Sequence, residues 1–233
     1  MLLKRQFLQL GSLRRFSSFA TPKMVKQLRE LTGSPLKDCM KALEETSGDI
    51  DKSLDYLRKK GLAEAAKRVD RLASQGLVGV LKDDEASKIT MIQLACETDF
   101  VAKTDNFQTG LREILRTIHS RDDVTATNEH CKDPDFLKEL IASTRLVEPL
   151  DSGVASQNIE EGLKHIIAKT QENVQLVKVF QMNWNPSEGE VVHAYVHGQT
   201  QKGSGMGKIG SLVHLAREDK SPESNSHLQG VSQ

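Results

Sequence analysis

Residues 77–118 read LVGVLKDDEASKITMIQLACETDFVAKTDNFQTGLREILRTI, and a change of period within them decides the fold class. Leu77, Val78, Val80 and Leu81 form a short apolar run, residues 82–87 a polar turn, and residues 89–96 a second run. Together they predict a β-hairpin. Thr104 then stands where an N-cap belongs, and Phe107, Leu111, Ile114, Leu115 and Ile118 recur at the spacing of an amphipathic helix. Between strand and helix lies Glu97-Thr98-Asp99-Phe100-Val101-Ala102-Lys103, a turn with a large aromatic residue in its middle. Two readings of that turn stay open. Either Thr98 or Asp99 caps the chain and Phe100 tucks into the core, or Phe100 is an exposed apolar wedge beside a carboxylate, offered to a partner.

Working downstream, apolar spacing predicts a short helix over 136–141 and a longer one carrying Ile159, Leu163, Ile166 and Ile167. Residues 174–184, 191–197 and 209–216 read as strands separated by Pro/Gly turns. Strands and helices without strict alternation predict an α+β core with antiparallel strands over 76–216. Upstream, 62–75 reads as a polar helical connector, and 22–61 as a module of three short helices. Their stripes are Met24, Leu28 and Leu31; then Leu36, Cys39, Met40 and Leu43; then Ile50, Leu54 and Leu57. Gly33, Gly48 and Gly61 read as stops, with Ser34-Pro35 and Asp49 as restarts. Helices this short are marginal alone, so the three must share one small core.

The two ends differ in kind from the middle. Residues 1–20 carry Lys4, Arg5, Arg14 and Arg15, no acid, several serines, and Leu2, Leu3, Phe7, Leu8 and Leu10 on one helical face. That is the composition of a mitochondrial transit peptide, and it predicts a matrix location. Residues 217–233 hold only Leu228 and Val231 as large aliphatics and are expected to form a disordered tail.

Composition narrows function by exclusion. With 32 basic and 32 acidic residues, the chain lacks the positive excess of a protein that neutralises phosphates. Only 4% of residues are aromatic, so a platform for stacking bases is not expected either. No apolar run approaches the ~18 residues of a membrane span. Cys39, Cys96 and Cys131 are odd in number and match no zinc spacing. The Gly-rich stretch ending in Gly207-Lys208 fails as a phosphate loop, because Lys202 occupies the first glycine position and Ile209 the Ser/Thr position. His193 and His197 on one strand would lie about 13 Å apart, too far to share a metal. No nucleophile elbow or paired-carboxylate signature appears either, so covalent catalysis by this chain is not expected and no cofactor is expected, while the wedge reading of the turn points to a protein partner.

The motifs, taken in order, resemble those of the elongation factor Ts family in its mitochondrial form. The first runs from Val25 through Gly33 and on through Asp38-Cys39-Met40-Lys41-Ala42-Leu43, extended by Gly48-Asp49-Ile50 and Arg58-Lys59-Lys60-Gly61. The second is Glu97-Thr98-Asp99-Phe100-Val101-Ala102-Lys103, and the third is Ala194-Tyr195-Val196-His197-Gly198. The resemblance covers about residues 22–216.

It implies a ubiquitin-associated-like helical module followed by a core that binds elongation factor Tu and releases its GDP. By the family's pattern, Asp99 and Phe100, flanked by Thr98 and Val101, would disturb the magnesium and phosphate site of that GTPase. Arg29, Leu36 and Lys37 stand at family contact positions in the N-terminal module, and His197 at one in the core. Met40 replaces a lysine common among relatives. Relatives also continue into a second half of the core, which is expected to be shortened here. Two alternatives accompany this reading: a truncated binder inactive in exchange, and an adaptor that uses the helical module to bind ubiquitin-like proteins.

Overall fold

Thr21 opens the first helix, α1 (Pro22–Thr32), by accepting the Met24 N–H, while Pro22 fills a first-turn position where no donor is needed. Gly33 closes it in the left-handed region at φ 68°, its N–H returned to Arg29. Helix α2 (Leu36–Glu45) follows, and Asp49 starts α3 (Ile50–Ala66) by accepting the Lys52 N–H at 3.0 Å. Val25, Leu28, Cys39, Ala42, Leu43 and Leu57 from these three helices form one small core. The computed structural model describes residues 20–124, 131–150 and 156–217. The leader expected over 1–20 lies outside them except for Ala20, as does the tail except for Arg217.

The chain divides into two compact units, Met1–Lys59 and Lys60–Gln233, and the larger is built on a sheet. Strands β1 (Gln75–Asp83) and β2 (Lys88–Cys96) pair from Gln75↔Cys96 to Asp83↔Lys88, and Asp83 folds the turn by accepting the N–H groups of Glu85 and Ala86. Helix α4 (Asp99–Ala102) is a single turn, and α5 (Asp105–His119) is capped by Thr104. Helices α6 (Pro134–Ser143) and α7 (Ile159–Thr170) follow, the latter entered through a capping box of Asn158 and Glu161. Strand β3 (Val174–Asn183) joins β2 antiparallel, with a bulge at Gln93/Leu94.

Beyond β3, β4 (Val191–His197) and β6 (Ile209–Leu215) form a separate two-stranded ribbon, and β5 (Met206–Gly207) pairs with β1. The main sheet therefore runs β3-β2-β1-β5, and the chain is α+β, with every strand pairing among the described residues antiparallel.

Alternation along β1 divides two layers. Leu77 joins Phe107, Leu111, Ile114, Ile118 and Ile166 in the main core, and α5 crosses so close to Gly79 that a Cβ there would meet Leu115 at 3.2 Å. Val80 packs instead with Ile89, Trp184, Val192 and Leu212, on the side covered by the ribbon. At Gly210 a Cβ would lie 2.7 Å from Val78, so only glycine admits the ribbon this closely.

Three local readings change. Gly61 does not stop the third helix but lies inside α3, where an added Cβ would sit 2.9 Å from that of Ala168; the glycine serves packing against α7. The connector is helical only to Ala66, where the Lys67 and Arg68 N–H groups turn to the Glu64 and Ala65 carbonyls, and beyond it Asn173 Nδ2 donates to the Val69 and Arg71 carbonyls (3.0 and 2.6 Å). Met206 and Gly207, read as part of a turn, form the edge strand on β1. Among the described residues, no helix is long and apolar enough to cross a membrane.

Candidate functional site

Helix α4 projects Phe100 into solvent with 77% of its surface exposed, although the residues on either side are fixed. The fixing begins at Thr98, extended at φ −126° and acting as N-cap. Its backbone N–H donates to Glu172 Oε2 at 2.9 Å and its hydroxyl to Glu172 Oε1 at 2.6 Å. The same hydroxyl accepts the Val101 N–H at 3.4 Å, and the Thr98 carbonyl accepts from Cys96 Sγ at 3.0 Å. Burial, with the Glu172 charge adding to it, pushes the Cys96 thiol up to about 12, so it stays protonated and remains a donor. Glu97 extends the hold by accepting the Asn173 N–H at 2.7 Å, with Arg71 Nη1 3.7 Å away.

Beyond the cap the groups separate by character. Val101 is half-buried against the main core, and Ala102 is buried in it. Asp99 bonds Lys103 Nζ at 2.9 Å, and that ammonium also lies 5.9 Å from the Phe100 ring centroid. The Lys103 hydrogen bond, with a further contribution from the charge of Lys208, holds the Asp99 carboxyl below the usual carboxylate range. The turn thus presents an exposed ring, an ionised carboxylate and an ammonium on a clamped backbone. It has the chemistry of an anchor for a protein surface, in which a rigid aromatic loses little entropy on docking.

Both alternatives drawn from the pattern therefore hold in part. Thr98 is the cap, as the core reading requires, yet Phe100 points outward, as the wedge reading requires. His197 ends β4, exposed, with the Tyr195 hydroxyl 3.5 Å from its Nδ1 and the Lys208 N–H on its carbonyl at 2.9 Å. In the N-terminal unit, Arg29 and Leu36 line one open cleft of about 300 Å³ with Val25 and Met40, while Lys37 is exposed and outside that lining. Among the described residues no group of His, Cys, Asp or Glu is arranged to hold a metal ion.

A model of the family described as elongation factor TS matches residues 97–229, more than half of the chain and including the whole α4 turn. The chain belongs to the elongation factor Ts family. Among similar proteins, the elongation factor Ts of Methylorubrum extorquens is 38% identical over 198 residues, covering 85% of this chain and 56% of that protein. That of Desulfovibrio desulfuricans is 35% identical over 195 residues, covering 84% and 56%. That of a Nostoc species is 31% identical over 210 residues, covering 90% and 58%. The chain spans little more than half the length of these elongation factor Ts relatives.

Sequence reasoning missed Glu172 and Asn173. They lie 74 or more positions from the turn they hold, just past the left-handed Gln171 that ends α7. Nothing in their local pattern distinguishes them from an ordinary polar loop before a strand.

Proposed function

We propose that this chain is a guanine-nucleotide exchange factor that binds elongation factor Tu in its GDP form and promotes GDP release during translation elongation. The observation that supports this most is Phe100: a large apolar ring kept 77% exposed on a backbone whose neighbouring polar groups are paired. A soluble protein gains nothing in stability by fixing such a ring in water, whereas a partner that buries it gains about 1.5–3 kcal/mol. Magnesium demands near-octahedral oxygen ligation, so a wedge that shifts its surroundings weakens the nucleotide held through it. Exchange factor and nucleotide then weaken each other by the same factor. At about 1.4 kcal/mol per tenfold, Phe100 accounts for roughly ten- to a hundredfold looser GDP, and Asp99 with the wider interface supplies the rest.

Further contacts are proposed at Arg29, Leu36 and Lys37 in the N-terminal unit and at His197 on β4; the cleft shared by Arg29 and Leu36 supports the first two. The basic, acid-free, serine-containing composition of residues 1–20 supports import into the mitochondrial matrix. The deciding measurement is the rate of GDP release from mitochondrial elongation factor Tu with and without this protein. Acceleration that is lost in Phe100→Ala is the expected result. Binding without acceleration would make the chain an exchange-inactive binder, and absence of binding would end the reading.

A further inference from the structure

Glu172 lies outside every motif quoted above, yet both its carboxylate oxygens are spent on one residue of the turn, Thr98. We propose that Glu172 is the positioning residue of the Asp99–Phe100 turn, setting the direction in which the ring is presented; this rests on the exchange reading above. The geometry is a relay. The carboxylate takes the Thr98 N–H and hydroxyl, and the hydroxyl, polarised by that bond, accepts the Val101 N–H that starts α4. Without Glu172 the Thr98 N–H loses its acceptor and its hydroxyl loses the bond that fixes it, so the cap of α4 is loosened while Phe100 keeps all its atoms.

The anchor itself is anchored. Glu172 directly follows Gln171, whose side chain accepts from Arg68 at 2.7 Å. It precedes Asn173, which is fully buried and bonded to Glu97, Val69 and Arg71. A carboxylate so flanked is a fixed reference, and the single-turn helix is aimed from it. Four residues make too short a helix to hold a direction by its own backbone bonds.

The test uses the full chain with Glu172→Ala, Glu172→Gln and Phe100→Ala. Amide hydrogen exchange and release of a fluorescent GDP from elongation factor Tu are measured on each. In Glu172→Ala, the Thr98 and Val101 amides should exchange about tenfold faster or more, with β3 and α5 unchanged. Glu172→Gln, which keeps one acceptor oxygen, should fall between. Stimulated release at saturating protein should drop in the same order. Unchanged protection at Thr98 overturns the proposal. So does a loss spread evenly over β2, β3 and α5, which marks a purely structural role. Local loss with undiminished release, in a protein where Phe100→Ala does slow release, overturns it as well. If Phe100→Ala leaves release unchanged, the exchange reading fails, and the Thr98 and Val101 amides alone decide whether Glu172 sets the turn.

Discussion

Phe100 and Leu28 are both large apolar side chains, and cutting each to alanine has a different meaning. Leu28 is fully buried in the three-helix core, so Leu28→Ala is expected to cost about 2–5 kcal/mol in denaturant unfolding. Phe100→Ala removes an exposed ring and should move stability by no more than about 0.5 kcal/mol. On the proposed exchange role its loss should appear instead as slower stimulated GDP release, about ten- to a hundredfold. Melting curves and release rates on the same two variants separate the cases. Asp99→Ala should also slow release, and its effect should not add to that of Phe100→Ala, because the two residues are adjacent. A thiol reagent gives a simpler check on the cap: Cys96 should resist alkylation at pH 8 until the protein unfolds, since its thiol ionises only near 12.

At the scale of elements, α3 and α5 yield the sharper expectations. Gly61→Val places side-chain atoms where Ala168 already packs, and should cost about 1–3 kcal/mol in the same unfolding assay, although most helix positions tolerate substitution better. At the end of α5, burial first and the Lys88 charge second depress the His119 pKa, with Asp83 opposing, and its Nδ1 lies 2.9 Å from the Thr90 hydroxyl. The unfolded chain therefore takes up a proton on this histidine at a higher pH than the folded one. The contribution of His119 to stability is full above the unfolded value of about 6.5 and is lost as pH falls from there toward the folded value. His119→Gln should flatten stability against pH in that window, read as the melting temperature between pH 7 and 5.

These elements also show what a single sequence discloses. The hairpin, the Thr104 cap and the α5 stripe were legible because period and capping are local properties, written within one turn of chain. Gly61 was read as a stop because a helix-ending glycine and a glycine that admits a second helix look alike until Ala168 is placed beside it. The connector reads as helical to 75 for a similar reason, since nothing in residues 67–71 marks the Val69 and Arg71 carbonyls as partners of the distant Asn173. In the candidate site, Thr98, Asp99, Phe100 and Val101 could be picked out as an unusual turn. The carboxylate that fixes them could not, because hydrogen bonds between distant segments follow from the packed fold and not from spacing.

For the whole molecule, the division near Lys59 separates a small helical core from the sheet that bears the α4 turn. If residues 1–20 direct mitochondrial import as proposed, deleting them is expected to abolish it and leave both cores intact, since every fully buried core residue described lies at or after Val25 and only Ala20 of the deleted segment packs, half-buried, against a core. Import assays and melting curves on the deleted protein check the two halves of that statement. The larger unit closes through unusually distant pairs: Thr98 with Glu172 across 74 positions, and Arg68 with Gln171 across 103. Synthesis runs from the N-terminus at roughly 5–20 residues per second. On a translating ribosome Phe100 leaves the exit tunnel seconds before Glu172 does. For that interval the nascent chain carries the ring without the carboxylate proposed to aim it, and a chain entering the matrix N-terminus first would meet the same order again.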